Sequence, residues 1–250
     1  MKAKTIFTLM LILFIISCTK DEKDNNPDAQ TNGKTTAVFN PNVSYGTLTD
    51  QEGNTYKTVV IGTQTWMAEN LRTSKYRNGE LIETTNPSTK DITSENSPKY
   101  QWTFDFNIGE NNLATYGRMY TWYSATDSRN IAPSGWHVPT NRDWQTLYDY
   151  LGNKQSEKLR ESGTIHWTSL NSNATNETGF TALPAAIRSI DGTFDKTDVY
   201  TMWWSSSDKV IEDMATGWSI DMDLESNTPF SFNGSNHYKK SGLYVRCVKD

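Results

Sequence analysis

Residues 135–152 read GWHVPTNRDWQTLYDYLG and contain the clearest helix start in the chain. Thr140 can accept a hydrogen bond from an amide of the first turn, and Asp143 can reach back to the helix start as in a capping box. Four apolar residues then recur at helical spacing on one stripe: Trp144, Leu147, Tyr148 and Leu151. Gly152 ends the pattern. The stretch predicts an amphipathic helix, and a second short helix is predicted at 155–161.

Short strand patterns lie on both sides of this helix. Residues 45–61 predict a hairpin whose turn is a Gly-Asn pair, because both residue types tolerate positive φ. Residues 64–68 predict the next strand, and residues 218–225 alternate apolar with polar side chains. Residues 242–248 predict a closing strand. Strands interleaved with one or two helices indicate an α+β fold with a mostly antiparallel sheet.

The closing strand has a clear division of faces. Alternation places Tyr244, Arg246 and Val248 on the face opposite to Val245 and Cys247.

Composition indicates a folded domain with an aromatic core. Of 250 residues only 35% are hydrophobic, yet the chain has nine Trp, twelve Tyr and nine Phe. Disordered chains of low hydrophobicity are poor in aromatic residues. The net charge of −5 and the lack of a Lys/Arg stripe argue against a nucleic-acid-binding protein. We therefore predict no nucleic-acid partner.

The first 17 residues have the pattern of a signal peptide. Lys2 and Lys4 precede an apolar run at 6–16, which as a helix would span about 16 Å, too little to cross a bilayer. The run ends in IISC at 15–18, which resembles a lipobox and implies lipid attachment at Cys18. The alternative is an ordinary secretion signal with an incidental cysteine.

A polar segment without apolar periodicity follows Cys18 and predicts a flexible tether. Lys20, Asp21 and Glu22 resemble the surface-export signal of Bacteroidota lipoproteins, which implies a domain on the outer face of the outer membrane. A tether charged only for solubility is the alternative. Three parts are thus predicted: a lipoprotein signal peptide (1–17), a lipidated tether (18–42) and one domain (43–250).

Six stretches of the domain resemble the Fibrobacter succinogenes major paralogous domain family. They are DQEGNTYKTVVIGTQTWMAENLR (50–72), YGRMYTWYSA (116–125), GWHVPTNRDWQTL (135–147), GFTALPAAIRSIDGTF (179–194), WWSSS (203–207) and GLYVRCVKD (242–250). They follow the family's order and cover nearly all of 43–250, although Ala186 stands where the family commonly has glycine. This family is similar, more loosely, to formylglycine-generating-enzyme and C-type-lectin-like domains. The resemblance implies an irregular α+β domain with long loops, and leaves open whether loops bind calcium.

The sequence shows no complete set of catalytic groups. An oxidase of the formylglycine-generating kind needs a pair of reactive cysteines, and the domain has only Cys247. Three histidines lie far apart without metal-ligand spacing: His137, His166 and His237. Three alternating acidic residues begin like a calcium loop without completing one: Asp221, Asp223 and Glu225. We predict no enzyme activity, no metal site and no cofactor.

The surplus of aromatic residues is the remaining candidate for function. Trp and Tyr rings stack on sugars and anchor protein interfaces. We predict ligand binding at Trp102, which lies in the polar stretch 72–112, and at Trp203 and Trp204; core packing is the alternative for each. Because neighbours in a strand point to opposite faces, at most one of Trp203 and Trp204 is expected in the core.

These features predict a surface-anchored, non-enzymatic module that binds glycan or protein. The alternative is a structural or assembly subunit of a cell-surface complex, without a small ligand.

Overall fold

Short strands and four α-helices make up the part of the chain that the computed structural model describes, residues 32–103, 112–195, 198–208, 213–222 and 230–250. The strands are β1 (Gly46–Thr49), β2 (Thr55–Ile61), β3 (Gln64–Met67), β4 (Gln101–Trp102), β5 (Met119–Tyr120), β6 (Trp136–His137), β7 (Ile187–Arg188), β8 (Phe194–Asp195), β9 (Tyr200–Asp208), β10 (Met214–Met222), β11 (Phe230–Tyr238), β12 (Leu243–Tyr244) and β13 (Val248–Lys249). The helices are α1 (Asn112–Tyr116), α2 (Trp122–Ala125), α3 (Asn141–Leu151) and α4 (Gln155–Leu159), with a 3₁₀ helix at Ser169–Asn173.

Two larger sheets and one small strand pair form the framework. The first sheet has the order β1-β2-β3-β13-β6, and its strands are antiparallel. The second has the order β11-β10-β9-β12-β5-β4 and is antiparallel except where β12 runs parallel to β9. Strands β7 and β8 pair separately. The mostly antiparallel strands and few helices are consistent with the predicted α+β class.

The predicted first hairpin is confirmed. Strand β1 pairs with β2, and Gly53 in the turn has a φ of +82°. One carboxylate oxygen of Asp50 accepts hydrogen bonds from the amides of Glu52 and Asn54, at 2.9 and 3.0 Å. The side chain of Asp50 thereby satisfies backbone groups that a tight turn leaves without strand partners.

Helix α3 begins and ends as the sequence predicts. Thr140 Oγ1 accepts a hydrogen bond from the Asp143 amide at 3.2 Å, and the Asp143 carboxylate accepts one from the Thr140 amide at 2.8 Å. Gly152 follows the last residue with a φ of +61°. The stripe that contains Trp144 and Leu151 is buried. The predicted helix at 155–161 is α4, which ends two residues earlier.

The core lies on both faces of β9. Trp203 belongs to one apolar cluster, with Trp144 and Phe180, whereas Trp204 belongs to a second cluster on the other side. The expectation that at most one of these tryptophans is in the core is therefore wrong. It assumed a sheet with one solvated face, and both faces of β9 are covered.

The closing segment separates into two short strands in different sheets. Tyr244 of β12 pairs with β5 and β9, whereas Val248 of β13 pairs with β3 and β6. The predicted division of faces is kept across the break, because Tyr244 and Val248 lie in the first cluster and Val245 and Cys247 in the second. The segment links the two sheets.

The described part of the predicted tether lies against the domain. Residues 32–43, which we call the N-terminal strap, make hydrogen bonds to β2, α1 and the segments near residues 161–176. Residues 32–42, which the sequence assigns to the tether, are thus bonded to the domain through side chains such as Asn32 and Asn40. None of the helices in the described ranges is long and apolar enough to cross a membrane.

Candidate functional site

Trp102 is a core residue rather than a surface platform. Its side chain is 1% exposed, and its indole N–H donates to Thr85 Oγ1 at 2.8 Å. The Arg188 guanidinium lies 4.1 Å from the centre of its ring. With the ring covered and its donor paired, the residue presents no surface to a ligand, and the predicted binding role is corrected to core packing.

Trp203 and Trp204 are likewise buried, each with its indole N–H paired inside the protein. Trp203 donates to Asn70 Oδ1 at 2.8 Å, and Trp204 donates to the carbonyl oxygen of Tyr120 at 2.7 Å. Neither ring is available for ligand stacking, so the prediction that they bind a ligand is also corrected.

Several other residues singled out in the sequence lie outside the described ranges, and Cys247 lies inside them. Cys18, Lys20, Asp21 and Glu22 lie outside the described ranges, as do the side chains of the 221–225 acidic run. Cys247 is a buried free thiol whose pKa is raised by desolvation.

The histidines contact nearby polar side chains. His137 lies between Asp250 and Asp143, at 2.8 and 3.2 Å, and His166 lies 2.7 Å from a Glu161 carboxylate oxygen. His237 lies 2.8 Å from the Ser235 hydroxyl. Among the described residues, no group of three or more His, Cys, Asp or Glu side chains is placed to hold a metal ion.

A cleft of about 430 Å³ opens beside Tyr150, and we call it the Tyr150 cleft. It lies where the turn after β2 meets helices α3 and α4. Its apolar wall is formed by Val43, Val60, Ile61, Tyr150 and Leu151, and its polar rim by Lys158, Glu177 and Thr178. Tyr150 and Val60 are 63% and 69% exposed, so two large apolar side chains face solvent in one depression. This combination of apolar wall and polar rim is typical of small-ligand sites.

The Tyr150 ring is supported by Gly62. A Cβ atom at position 62 would lie 2.7 Å from Tyr150 Cδ2 and 2.9 Å from its Cγ. Gly62 also has a φ of +61°, which favours glycine. The close approach of the backbone covers one side of the ring and leaves the rest of this exposed side chain to the cleft.

The polar rim is held by backbone contacts. Lys158 Nζ donates to the Leu151 carbonyl at 2.9 Å and lies 3.4 Å from Glu177 Oε1. The Thr178 hydroxyl donates to the Lys158 carbonyl at 2.8 Å. A solvent-exposed ion pair contributes little to stability. Lys158 and Glu177 can therefore bond to ligand hydroxyls instead of to each other at a small cost in free energy.

A second depression, of about 370 Å³, surrounds Tyr76 but offers less to a ligand. The Arg129 guanidinium lies 3.9 Å from the centre of the Tyr76 ring and also bonds to Asp127 and Glu80. Tyr76 itself is only 1% exposed. The ring is thus covered and the cation already satisfied, so the Tyr150 cleft is the better candidate.

Sequence comparison places the chain in a family. A profile described as the Fibrobacter succinogenes major domain matches residues 59–249. The chain belongs to this family. The resemblance predicted from the six sequence stretches is therefore confirmed. No curated protein matches the chain. No solved structure matches it either.

The Fibrobacter succinogenes major domain includes nearly all of the cleft. Its matched range runs from within β2 to β13 and contains both helices that line the depression. Val43, at the end of the N-terminal strap, is the lining residue that falls outside the match.

Tyr150 was missed among the predicted site residues, although the sequence contains a signal for it. The stripe of α3 is defined by Trp144, Leu147 and Leu151, and a rotation of about 100° per residue puts Tyr150 away from that stripe. An aromatic side chain on the polar face of an amphipathic helix has no core to fill. The position of Tyr150 on the helix therefore indicates that its side chain is exposed. The polar sequence neighbours of Trp102 do not indicate that the Trp102 side chain is exposed.

Proposed function

We propose that the chain is a surface binding module and that the Tyr150 cleft holds a sugar ring. The observation that carries the proposal is the exposed Tyr150 ring, fixed against Gly62 beside an ammonium and a carboxylate. Aromatic rings offer an apolar surface to the C–H face of a sugar, while charged and hydroxyl groups bond its hydroxyls. The cleft volume also lies within the usual range for small-ligand sites.

We further propose that the module is a lipoprotein on the outer face of the outer membrane. The lipobox-like end at Cys18 and the following Lys20, Asp21 and Glu22 support this placement. Cys18→Ala should release the protein from the membrane fraction. Protease applied to intact cells should degrade the domain, and survival until cell lysis would contradict the outward orientation.

The finer fold class is part of the proposal. Two mostly antiparallel sheets, short helices and a long irregular stretch between β3 and β4 support an irregular C-type-lectin-like or formylglycine-generating-enzyme-like domain. In contrast to the enzyme of that group, the domain is proposed to be non-catalytic. Its free thiol, Cys247, is buried and its pKa is raised by desolvation, which disfavours the reactive thiolate.

A structural role in a surface complex is the second candidate. Strand β11 lies at the edge of the six-stranded sheet and extends over nine residues. Such an edge can pair with a strand of another chain. A module of this kind would bind a protein partner through backbone hydrogen bonds, without a small ligand.

A glycan array with the whole mature chain tests the leading proposal. Tyr150→Ala should weaken a glycan hit by about tenfold or more, equivalent to roughly 1.4 kcal/mol, since it removes the stacking surface. Tyr150→Phe should retain most of the affinity. Tyr238→Ala is the matched control, because Tyr238 is also exposed but lies on β11 away from the cleft.

Two results would contradict the sugar-binding proposal. One is equal affinity of the Tyr150→Ala variant and the parent protein for the same glycan. The other is failure of the parent to bind any glycan, and stable co-purification of a protein partner in that case would favour the assembly role.

A further inference from the structure

We propose that the N-terminal strap forms a wall of the Tyr150 cleft on which ligand affinity depends, and that Glu161 holds the strap in place. The inference rests on the proposed function, since it assigns a positioning role to residues outside the cleft. Three observations carry it: the burial of Glu161, the bonds that join it to the strap, and the place where the strap ends.

Glu161 is a buried carboxylate that uses both oxygens in this region. The residue is 0% exposed. Its Oε1 accepts a hydrogen bond from the Val38 amide at 2.6 Å, and its Oε2 lies 2.7 Å from His166 Nδ1. A buried carboxylate is costly unless hydrogen bonds compensate it, so one of the groups that stabilise Glu161 comes from the strap itself.

His166 extends the same network to a second strap residue. Its Nε2 lies 2.9 Å from the Thr36 hydroxyl, and the Thr36 amide donates to Thr115 Oγ1 at 3.0 Å. Thr36 and Val38 are thereby fixed on the domain from two elements, α1 and the segment after α4. Residues 34–40 of the strap make these contacts without forming a helix or a strand.

The end of the strap forms a wall of the cleft. Asn40 Nδ2 donates to the Asn176 carbonyl at 2.9 Å, and the Val43 amide donates to the Asn40 carbonyl at 3.2 Å. Val43 then packs so closely on Gly179 that a Cβ there would lie 2.7 Å from Val43 Cγ1. Val43 lines the same cleft as Tyr150.

The strap opens at lower free energy than the sheets. It adds no strand to either sheet, and it is held by hydrogen bonds and by the partly buried side chains of Phe39 and Val43, which pack against the first cluster. Segments without strand pairing open more readily than core strands. When the strap opens, Val43 leaves the cleft, and the apparent affinity for a ligand falls with the fraction of molecules whose cleft is complete.

The double variant Thr36→Val with Asn40→Ala tests the proposal in the whole mature chain. Both changes lie in the strap and leave the core unaltered. We expect amide hydrogen exchange at residues 36–43 to become at least tenfold faster and the methyl NMR signals of Val60 and Ile61 to shift. Glycan affinity should fall several-fold, while the melting temperature of the domain stays close to that of the parent.

Glu161→Gln provides a test at the domain side. The substitution keeps the size of the side chain but replaces a charged acceptor with a neutral one, which accepts a weaker hydrogen bond. Exchange at the Val38 amide should therefore quicken in this variant too.

Asn32→Ala is the matched control. It removes the two bonds that join Asn32 to Gly53 and Thr55, far along the strap from Val43. Its cleft signals and glycan affinity should equal those of the parent protein.

Rapid exchange at Val38 in the parent would overturn the proposal, because the strap would then not be docked. Unchanged Val60 and Ile61 signals in a variant with a released strap would also overturn it. If the parent binds no glycan, the proposed function fails, whereas exchange and methyl signals still decide whether the strap shapes the cleft.

Discussion

Two buried tyrosines differ in the hydrogen bonds that their hydroxyl groups make. The Tyr56 hydroxyl donates to Asp50 Oδ2 at 2.7 Å and accepts from the Arg72 amide at 2.9 Å. The Tyr76 hydroxyl is buried and has no hydrogen-bond partner among the described residues. Removing the hydroxyl at each position therefore shows how much the hydrogen bonds of Tyr56 contribute to the free energy of unfolding.

Tyr56→Phe should reduce the free energy of unfolding by about 1–3 kcal/mol, because it leaves a buried carboxylate and a buried amide each short of a partner. Tyr76→Phe should change it by less than about 1 kcal/mol or increase it, since it removes a buried hydroxyl that has no partner. Urea unfolding at neutral pH measures both. Equal losses in the two variants would show that the hydrogen bonds of Tyr56 are not responsible.

Trp102→Ala should be a stability variant and not a binding variant. Loss of a buried tryptophan typically costs about 3–5 kcal/mol, because it leaves a cavity and an unpaired partner. Tyr150→Ala should change stability by less than about 0.5 kcal/mol, as is usual for exposed positions. Thermal and urea unfolding of the two variants compare them. A Trp102→Ala protein as stable as the parent would contradict the core assignment.

The polar surroundings of Trp102 in the sequence do not reveal its burial. Its indole donor is satisfied by Thr85, 17 positions away, and its ring is covered by Arg188 from a distant strand. Burial depends on which remote segments pack together, whereas composition reports only sequence neighbours. Tyr150 shows the reverse case, since its exposure follows from the local geometry of α3.

At the level of elements, α3 depends on its first turn. Burial acts to raise the pKa of Asp143, but hydrogen bonds from Thr140 and the contact with His137 outweigh it, and the pKa lies below its usual value. The carboxylate is thus held in the charged form that suits the positive end of a helix.

Thr140→Ala should lower the free energy of unfolding by about 1 kcal/mol, since it removes the side-chain cap of α3. Thr140→Ser retains a hydroxyl and is the matched control, with a smaller expected loss. Urea unfolding at neutral pH provides the measurement. A loss as large in Thr140→Ser as in Thr140→Ala would point to the methyl group of Thr140 and away from its hydrogen bond.

Local signals predicted the elements whose geometry is local. The capping pair of α3 and the Gly-Asn turn before β2 are decided within a few residues, and both are found. The closing segment was predicted as one strand because alternation cannot show a change of partner. Its division into β12 and β13 depends on strands from two sheets, which no pattern within residues 242–248 contains.

For the whole molecule, the buried tyrosines predict that the free energy of unfolding falls at high pH. Burial raises the pKa of Tyr56 and Tyr120 well above the ordinary value, and it raises the pKa of Tyr76 to about 12. In the unfolded chain these groups ionise near pH 10. Their contribution to stability is therefore complete below pH 10 and is lost as the pH rises toward and beyond 12.

The free energy of unfolding should fall steeply between about pH 10 and 12, and the tyrosinate absorbance contributed by these tyrosines should rise together with unfolding. Tyr76→Phe should show a shallower fall in the same range. Ionisation of all twelve tyrosines near pH 10 in a protein that remains folded would contradict this prediction.

The docked strap also limits the reach of the domain. Asn32 is bonded to Gly53 and Thr55 at the start of β2, and the Tyr150 cleft lies at the other end of that strand, about 20 Å away. If Cys18 carries a lipid, the leash to Asn32 is 14 residues, at most about 50 Å when fully extended. A leash of that length would keep the start of β2 within about 50 Å of the bilayer surface.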